Sequence, residues 1–466
     1  MFKKNSFLLS MPLAFFVLSC FSGNDNEPLD GPNSSSVVGT PFEMIGLTPG
    51  SDVSEINFNW YSDDAENNNK SIVRIYGSND NVISTTSSGK AGAAVSGKFY
   101  HKVTVNGLTA GTNYKYSVSS DSVVWSDKYN YNVPAAGPLR FALIADPQLT
   151  TGRQDAMSKY PVPRKTTAEG WAETLDKVVA ANVSFILSAG DQVDNGNETE
   201  YASFYAPAPL RNYPFAPVIG NNDLSCSFMY HFNLPNEQNR ASYPESGCKT
   251  SNGVFIENVA NYYYLYNNVL FVGLNTGAPS PTNVTEALPY ITKFTNTIKA
   301  AKAANAGKYD WLIVHHHKPT NSVAGHARDV DVKYYVEAGF QEMMTAEGVD
   351  LVIGGHDHIY VKSKLMKDNR PSRDGKGTIY LTISTSSGGK YYQVNPSPEI
   401  TTTYPYFNQE IGDVRYLPES VEIYSQLFIP EYSIVDVNGK SMTIKTYTIN
   451  NSNPHDVFTF SPTIAK

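Results

Sequence analysis

The sequence is poor in cysteine, has no run of basic residues and contains a single long apolar stretch, at its N-terminus. Three cysteines leave room for one disulfide at most. Basic residues number 36 against 44 acidic ones, and together with the missing basic run this argues against nucleic acid as the main partner. No later segment is long and apolar enough to cross a membrane. With 466 residues, the chain has room for two or three globular domains.

The apolar stretch FLLSMPLAFFVL follows Lys3 and Lys4 and is too short to span a bilayer, so residues 1–19 are predicted to be a signal peptide. It ends at VLSC, which resembles the lipobox of bacterial lipoproteins, whose cysteine is lipidated. The alternative is ordinary signal cleavage with Cys20 discarded. The polar residues 20–39 read as a flexible tether. We therefore expect an exported protein that is anchored to the bacterial cell envelope by a lipid on Cys20.

Two cysteines remain beyond Cys20, at positions 226 and 248. In an oxidising compartment an even pair predicts a Cys226–Cys248 disulfide, and two free thiols are the alternative.

Residues 40–135 are predicted to be all-β. The segments INFNWY, SIVRIYG and HKVTVNGLTAGTNYKYSV nearly alternate between apolar and polar residues and are separated by turn residues. Tyr114, Tyr116 and Val118 would share one strand face. The last segment resembles the tyrosine-corner region of fibronectin-type-III-like sandwiches. Because no catalytic residue types cluster here, the predicted role is a spacer or support.

From about residue 138, short apolar runs alternate with helical patterns, as in an α/β or layered domain. Five apolar runs lead directly into polar clusters. Ligands of open α/β sheets gather beyond the carboxyl ends of the strands, so these clusters are expected to meet. The clusters are Asp146-Pro147-Gln148, Gly190-Asp191, Gly220-Asn221-Asn222-Asp223, His315-His316-His317 and Gly354-Gly355-His356-Asp357-His358.

Carboxylate, amide and imidazole side chains together form a mixed oxygen and nitrogen set that suits Zn, Mn or Fe. There are more of these side chains than one ion needs, so a central carboxylate could bridge two ions.

The order D-x-Q, G-D-x-x-D, G-N-N-D, H-x-P and G-H-D-H resembles the calcineurin-like metallophosphoesterases, and the preceding β domain resembles their purple-acid-phosphatase branch. The resemblance implies an αββα metallophosphoesterase domain over residues 138–450, followed by a C-terminal tail at 451–466. It also implies two metal ions that share Asp191, with Asp357 pointing away from them. One ion would be held by Asp146, Gln148, Asp191 and His358, and the other by Asp191, Asn221, His317 and His356.

The implied activity is metal-dependent hydrolysis of phosphate esters by a water that the two ions activate. Phosphomonoesters are the first expectation; a phosphodiesterase or nucleotidase is the alternative. A rival of another class is a surface binding protein with a weakened site.

The sequence departs from the family pattern at three positions. Gln148 replaces a histidine ligand, which predicts weaker binding of the first ion. Asp194 stands where purple acid phosphatases carry an iron-binding tyrosine, so the identity of the metals stays open. Asn222 replaces the histidine that is thought to protonate the leaving group, and an amide cannot act as a general acid near neutral pH. His326 is the candidate substitute, although it could equally be a solvated loop residue, and His316 is a further candidate for a substrate-facing or supporting role.

Overall fold

The computed structural model describes residues 42–63, 69–94, 97–150, 166–238, 259–278, 280–392, 394, 407–408 and 417–464. The predicted signal peptide, Cys20 and the tether lie outside these residues, so the lipid anchor stays a prediction. Cys226 is disulfide-bonded. Its predicted partner Cys248 lies outside the described residues, so the pairing also stays a prediction. None of the helices in the described part of the chain combines the length and apolar character that crossing a bilayer requires.

The N-terminal domain is a sandwich of two four-stranded antiparallel sheets, with strand orders β1-β2-β6-β5 and β4-β3-β7-β8. Tyr116 and Val118 are fully buried between the sheets. The Tyr114 hydroxyl accepts a hydrogen bond from the Thr109 N–H at 3.2 Å, as the tyrosine-corner resemblance implies. The strands are β1 (Glu43–Pro49), β2 (Ile56–Asp63), β3 (Ile72–Tyr76), β4 (Val82–Thr86), β5 (Lys90–Ala93), β6 (Lys98–Val105), β7 (Asn113–Ser119) and β8 (Tyr129–Asn132).

The second domain contains two larger sheets whose facing sides form the main core. The six-stranded sheet has the order β11-β10-β9-β23-β24-β25 and the seven-stranded sheet the order β12-β13-β14-β15-β19-β16-β22. Phe141 of the first sheet meets Phe271 of the second edge to face, with ring centres 5.2 Å apart.

The strands of the six-stranded sheet are β9 (Leu139–Ile144), β10 (Ile186–Ser188), β11 (Phe215–Ala216), β23 (Glu431–Asn438), β24 (Ser441–Thr448) and β25 (Asp456–Phe460). Those of the seven-stranded sheet are β12 (Tyr262–Tyr266), β13 (Val269–Gly273), β14 (Trp311–His315), β15 (Leu351–Gly354), β16 (Tyr360–Ser363), β19 (Ile379–Thr382) and β22 (Val421–Ser425). Two small ladders pair β17 (Met366–Lys367) with β18 (Arg370–Pro371) and β20 (Phe407–Asn408) with β21 (Leu417–Pro418).

Helices cover the outer faces of the two sheets, giving the αββα layering. Helix α1 starts at a capping box in which Thr166 and Glu169 satisfy each other's backbone N–H groups, and it buries Trp171 and Leu175. The helices are α1 (Thr167–Ala180), α2 (Glu198–Tyr205), α3 (Cys226–His231), α4 (Val284–Ala304), α5 (Val330–Glu337) and α6 (Phe340–Glu347), with 3₁₀ turns at Ala208–Arg211 and Gly325–Arg328.

Helices α5 and α6 do not form one continuous helix, because Gly339 between them has φ of +91°, which a continuing helix cannot accommodate. One segment differs from the sequence expectation. The predicted C-terminal tail contains β25, which pairs with β24 at the edge of the six-stranded sheet.

The strands that precede the five polar clusters belong to two sheets. Strands β9, β10 and β11 run parallel in one, and β14 and β15 run parallel in the other. Since the sheets face each other, their carboxyl ends open at a common edge. The expected convergence of the clusters therefore occurs across two sheets rather than along one.

The sandwich packs against α3, the helix that follows the Asn221 turn. The buried Lys102 ammonium donates to the Phe232 carbonyl at 2.6 Å and also to that of Met229. On the same helix His231 contacts Glu198 at 2.7 Å. Because buried polar groups are costly to leave without partners, these bonds fix α3 and the turn before it.

Candidate metal centre

The seven side chains predicted to bind metal form one connected group at the common sheet edge. All are buried except Asn221, which is half-buried. The group comprises Asp146, Gln148, Asp191, Asn221, His317, His356 and His358.

One half of the group converges on the imidazole of His317. Its Nε2 lies 3.1 Å from Asn221 Oδ1, 3.1 Å from His356 Nδ1 and 3.3 Å from Asp191 Oδ2. Asp191, His317 and His356 also have ligand atoms that all lie within 4.8 Å of one another. Four potential ligand atoms thus lie close together, which suits the binding of a transition-metal ion.

The other half is built around Asp146. Its Oδ1 lies 3.4 Å from His358 Nε2, and its two oxygens accept the backbone N–H of His356 at 3.0 and 2.9 Å. Gln148 joins this half to the first, because its side-chain amide donates to Asp191 Oδ2 at 3.1 Å. Asp191 therefore contacts both halves.

Hydrogen bonds to the backbone assign the tautomers of two candidate ligands. His317 Nδ1 lies 2.8 Å from the Ala189 carbonyl, and His358 Nδ1 lies 2.7 Å from the Lys390 carbonyl. Each Nδ1 must carry a proton for such a bond, so Nε2 is the nitrogen of each ring that faces the acidic group and can bind a metal. This is the orientation of a metal-binding histidine.

The backbone is strained at these positions. Five of the candidate ligands have positive φ angles although none is glycine: Asp146 (47°), Gln148 (38°), Asp191 (52°), His356 (67°) and His358 (47°). Such conformations are uncommon for residues other than glycine and tend to occur at functional sites, where the surrounding structure enforces them.

Glycines allow the polar clusters to approach one another. A Cβ atom on Gly220 would lie 2.0 Å from Asp191 Oδ1, and one on Gly355 would lie 2.6 Å from Asp146 Oδ2. Only a residue without a side chain fits at such distances, so both glycines are required by the closeness of the carboxylates.

The electrostatics of the group favour positive charge. Burial opposes protonation of His317, but the charge and hydrogen bond of Asp191 outweigh it and raise the pKa of His317 to about 9. Conversely, despite the cost of burial, His317 holds the pKa of Asp191 below its ordinary value. Burial, together with the charges of His317 and His326, lowers the pKa of His356 to about 4, so this ring is a neutral donor.

The donor set fits two metal ions. Buried Gln148 Oε1 has no hydrogen-bond partner among the described residues, which is unfavourable unless a cation or water fills the place. Asp146, Gln148, Asp191 and His358 would hold one ion, and Asp191, Asn221, His317 and His356 the other.

Asn222 is bound to the central carboxylate. Its backbone N–H donates to Asp191 Oδ1 at 2.9 Å and its side-chain amide to Oδ2 at 2.7 Å. The residue thus orients Asp191 and, being an amide, has no proton to give to a leaving group.

His326 lies at the rim of the centre. Its ring is 4.1 Å from that of His356 and 4.6 Å from that of Tyr392, and its side chain is 27% exposed. It is therefore placed beside the candidate ligands rather than in a remote solvated loop.

The structure does not bring His316 to the centre. Side chains alternate along β14, and His316 continues the face of Leu312 and Val314, which points to the outer helices. Its ring lies 5.0 Å from that of Phe340, and burial lowers its pKa to about 3. The predicted substrate-facing role of His316 is therefore wrong. His315 is buried as well and contacts the Ser188 carbonyl at 3.0 Å.

Three buried or half-buried carboxylates, to which the sequence analysis gave no supporting role, hold the ligand loops. Asp223 accepts the N–H groups of Gln192 and Gly220, each at 2.9 Å, and so ties two ligand turns together. Asp357 points away from the ligands and accepts the N–H of His326 at 2.7 Å. Asp329 contacts both His326 and His356. Asp223 lies in the motif G-N-N-D and Asp357 in G-H-D-H, and these positions could have indicated their supporting role.

Comparison with known proteins agrees with this geometry. Residues 139–360 match the model of the calcineurin-like phosphoesterase family, and the chain belongs to these metal-dependent phosphoric ester hydrolases. Residues 43–132 match the purple acid phosphatase N-terminal domain, so within the family the chain is purple-acid-phosphatase-like. No curated protein matches the sequence.

Two solved structures share the fold over most of the chain. The purple acid phosphatase from yellow lupin (Lupinus luteus) seeds is 14% identical with a TM-score of 0.62, covering 90% of this chain and 74% of that one. PhoD is 10% identical with a TM-score of 0.58, covering 93% and 92%. At these identities the likeness establishes the fold alone.

Proposed function

We propose that the protein is a dinuclear phosphatase that hydrolyses phosphate monoesters. The observation that carries the proposal is the position of Asp191, whose Oδ2 lies 3.1 Å from the Gln148 amide and 3.3 Å from His317 Nε2. A carboxylate that touches both donor sets is suited to bridge two ions. Phosphodiesters and nucleotides are the alternative substrates.

When bound, two ions would lower the pKa of a water, polarise the phosphoryl oxygens and offset charge in an in-line displacement. The protein's own part is to hold donors in place. The backbone bonds of His317 and His358 fix their rings, and Asn222 fixes Asp191. Little side-chain movement is then needed before reaction.

Protonation of the leaving group is the step for which the usual residue is missing. Asn222 cannot supply a proton, and His326 is the substitute that we propose, because it lies beside His356 and is partly exposed. A general acid typically contributes about 10²–10⁴-fold, so weak proton donation would leave esters of acidic alcohols as the best substrates.

The candidate ligands also help to decide between an enzyme and the alternative, a binding protein with a weakened site. Each predicted ligand position carries a side chain that can donate to a metal, and five of the seven positions have a strained backbone. Both features favour an enzyme.

The test is to load the purified protein with zinc, manganese or iron and to measure bound metal together with hydrolysis of p-nitrophenyl phosphate and bis(p-nitrophenyl) phosphate. We expect two ions per chain and faster cleavage of the monoester. The control is Asp374→Asn, which replaces an exposed carboxylate on the protein surface, and it should match the wild type. Failure to bind any of the three metals would refute the proposal. Metal-loaded protein that is inactive on both esters would favour the binding-protein rival.

We further propose that the chain is exported and carries a lipid on Cys20. The sequence VLSC and the preceding apolar run support this proposal. Mass spectrometry of the mature N-terminus would test it, and an unmodified N-terminus at another residue would contradict it.

A further inference from the structure

The turn at Gly325–Arg328 brings His326 and Asp329 to the same side of the chain. Residues three apart eclipse each other in a 3₁₀ turn, and His326 Nδ1 lies 2.8 Å from Asp329 Oδ2. The contact therefore joins two residues of the same turn.

Asp329 is also the N-cap residue of helix α5. Aspartate at this position ordinarily accepts an N–H group of the first helical turn. Within the described residues the Asp329 side chain makes no such bond. Its Oδ2 instead lies 2.9 Å from Nε2 of His356, in addition to the contact with His326. One oxygen thus contacts two imidazoles, and the usual N-cap hydrogen bond is not formed in the described part of the chain.

These contacts orient both rings. To donate to Asp329, His356 must carry its proton on Nε2, which leaves Nδ1 facing His317 Nε2 at 3.1 Å. To donate to the same carboxylate, His326 must carry a proton on Nδ1. Its Nε2 is then the nitrogen that can contact a substrate.

The neighbouring Asp357 binds the same turn from the other side. It accepts the N–H groups of Ala324 at 2.8 Å and His326 at 2.7 Å, and also the Ser322 hydroxyl. Two consecutive residues, His356 and Asp357, are therefore both fastened to the segment that carries His326.

We propose that Asp329 is a positioning residue that couples the metal-ligand orientation of His356 to the placement of His326. The inference rests on the proposed function, since it takes His356 as a ligand and His326 as a substrate-side group. It assigns Asp329 a role in the centre although it is not one of the predicted ligands. Loss of such a supporting carboxylate typically weakens metal binding about 10–100-fold.

The test measures zinc affinity by chelator competition in the wild type, Asp329→Asn and His326→Ala, with Asp374→Asn as the matched surface control. We expect about 10–100-fold weaker zinc binding at the more affected site in Asp329→Asn. His326→Ala should stay within about twofold of the wild type, because it leaves the Asp329–His356 contact in place. Equal affinity in Asp329→Asn and the control would overturn the proposal.

A second readout uses the wild type alone and so does not depend on the folding of a variant. Nitrogen-15 NMR of the histidine rings in the zinc-loaded protein should show His356 bound through Nδ1 with a proton on Nε2. Binding through Nε2 would contradict the role of Asp329.

A third readout concerns His326. At saturating zinc, Asp329→Asn and His326→Ala should lower kcat/KM for an alkyl phosphate, whose leaving group needs protonation, by similar factors, and the double variant should fall little further. Fully additive losses would show that Asp329 does not act through His326. If the wild type proves inactive while zinc affinity still depends on Asp329, the proposed function fails and the positioning role of Asp329 toward His356 stands.

Discussion

The two halves of the metal centre differ in the quality of their donors. Around His317, three polar atoms from three different chain segments lie within 3.3 Å of one nitrogen. Around Asp146, the nearest imidazole nitrogen is 3.4 Å away, and Gln148 directs its amide N–H at Asp191. A neutral amide is a weaker ligand than an imidazole. We therefore expect the His317 half to bind its ion more tightly than the Asp146 half.

If the two proposed ions bind, this difference means that the fold would hold them unequally. Both halves have strained backbones, buried positions and rings fixed by backbone carbonyls. The scaffold is thus equally prepared on both sides, and the ligand types set the difference.

The largest effect is expected from Asp191→Ala, because this change removes the carboxylate that both halves share. Both ions should be lost or bound weakly, and activity should fall by at least about 10³-fold, since metal-ion charge stabilisation supplies several kcal/mol to the transition state. Metal analysis and p-nitrophenyl phosphate hydrolysis measure this. Retention of two ions would show that Asp191 is not shared.

The next largest effect on activity is expected at Asn222. This residue follows Asn221, a candidate ligand of the His317 half. Asn222→His should raise hydrolysis of alkyl phosphates more than that of aryl phosphates, since aryl leaving groups need little protonation. The differential should be at most the 10²–10⁴-fold typical of a general acid. His326→Ala should selectively damage the alkyl reaction. Equal aryl and alkyl rates that neither change alters selectively would contradict the account of the missing acid.

A buried histidine outside the metal centre, His101, can be compared with the histidines inside it. His101 lies in the sandwich between the hydroxyls of Ser62 and Ser71, and burial lowers its pKa to about 4. The unfolded chain binds a proton near pH 6.5 and the folded chain only near pH 4. Stability contributed by neutral His101 is therefore present above pH 6.5 and lost as the pH falls toward 4, by up to about 3 kcal/mol.

Urea unfolding of wild type and His101→Gln between pH 4 and 7 measures this contribution. The stability difference between the two proteins should shrink as the pH falls. A difference that does not change with pH would show that His101 is protonated in the folded state.

The sequence was sufficient to predict which polar clusters lie together, because each follows an apolar strand and strand ends meet at a sheet edge. Their role as metal ligands stays a prediction. The tyrosine corner at Tyr114 was likewise readable from local sequence. His316 was misassigned because three consecutive histidines look alike in a sequence, whereas strand alternation places the middle one on the opposite face. Had the alternation of Leu312 and Val314 been extended, it would have predicted this.

Other features could not be read from the sequence because they depend on tertiary contacts. The reach of Asp329 to His356 joins residues from separate elements, and a cap aspartate would ordinarily be expected to bind its own helix. The positive φ angles at Asp146 and His358 are also imposed by the assembled site, since local preference disfavours them.

The smallest predicted effect reduces the difference between the two halves. Gln148→His replaces the amide with an imidazole, and histidine tolerates the left-handed backbone at this position better than most residues. The weaker ion should then bind about tenfold more tightly, which corresponds to roughly 1.4 kcal/mol. Zinc competition assays measure the change. An unaltered affinity would mean that residue 148 does not contact the ion.

The most direct test of a shared but unequal centre is a zinc-binding isotherm of the metal-free wild type, repeated with His317→Ala and His358→Ala. We predict two steps of one ion each, separated by at least about tenfold in affinity. The tighter step should disappear in His317→Ala and the weaker one in His358→Ala. A single ion per chain, or a tighter step that survives His317→Ala and is lost in His358→Ala, would contradict the account.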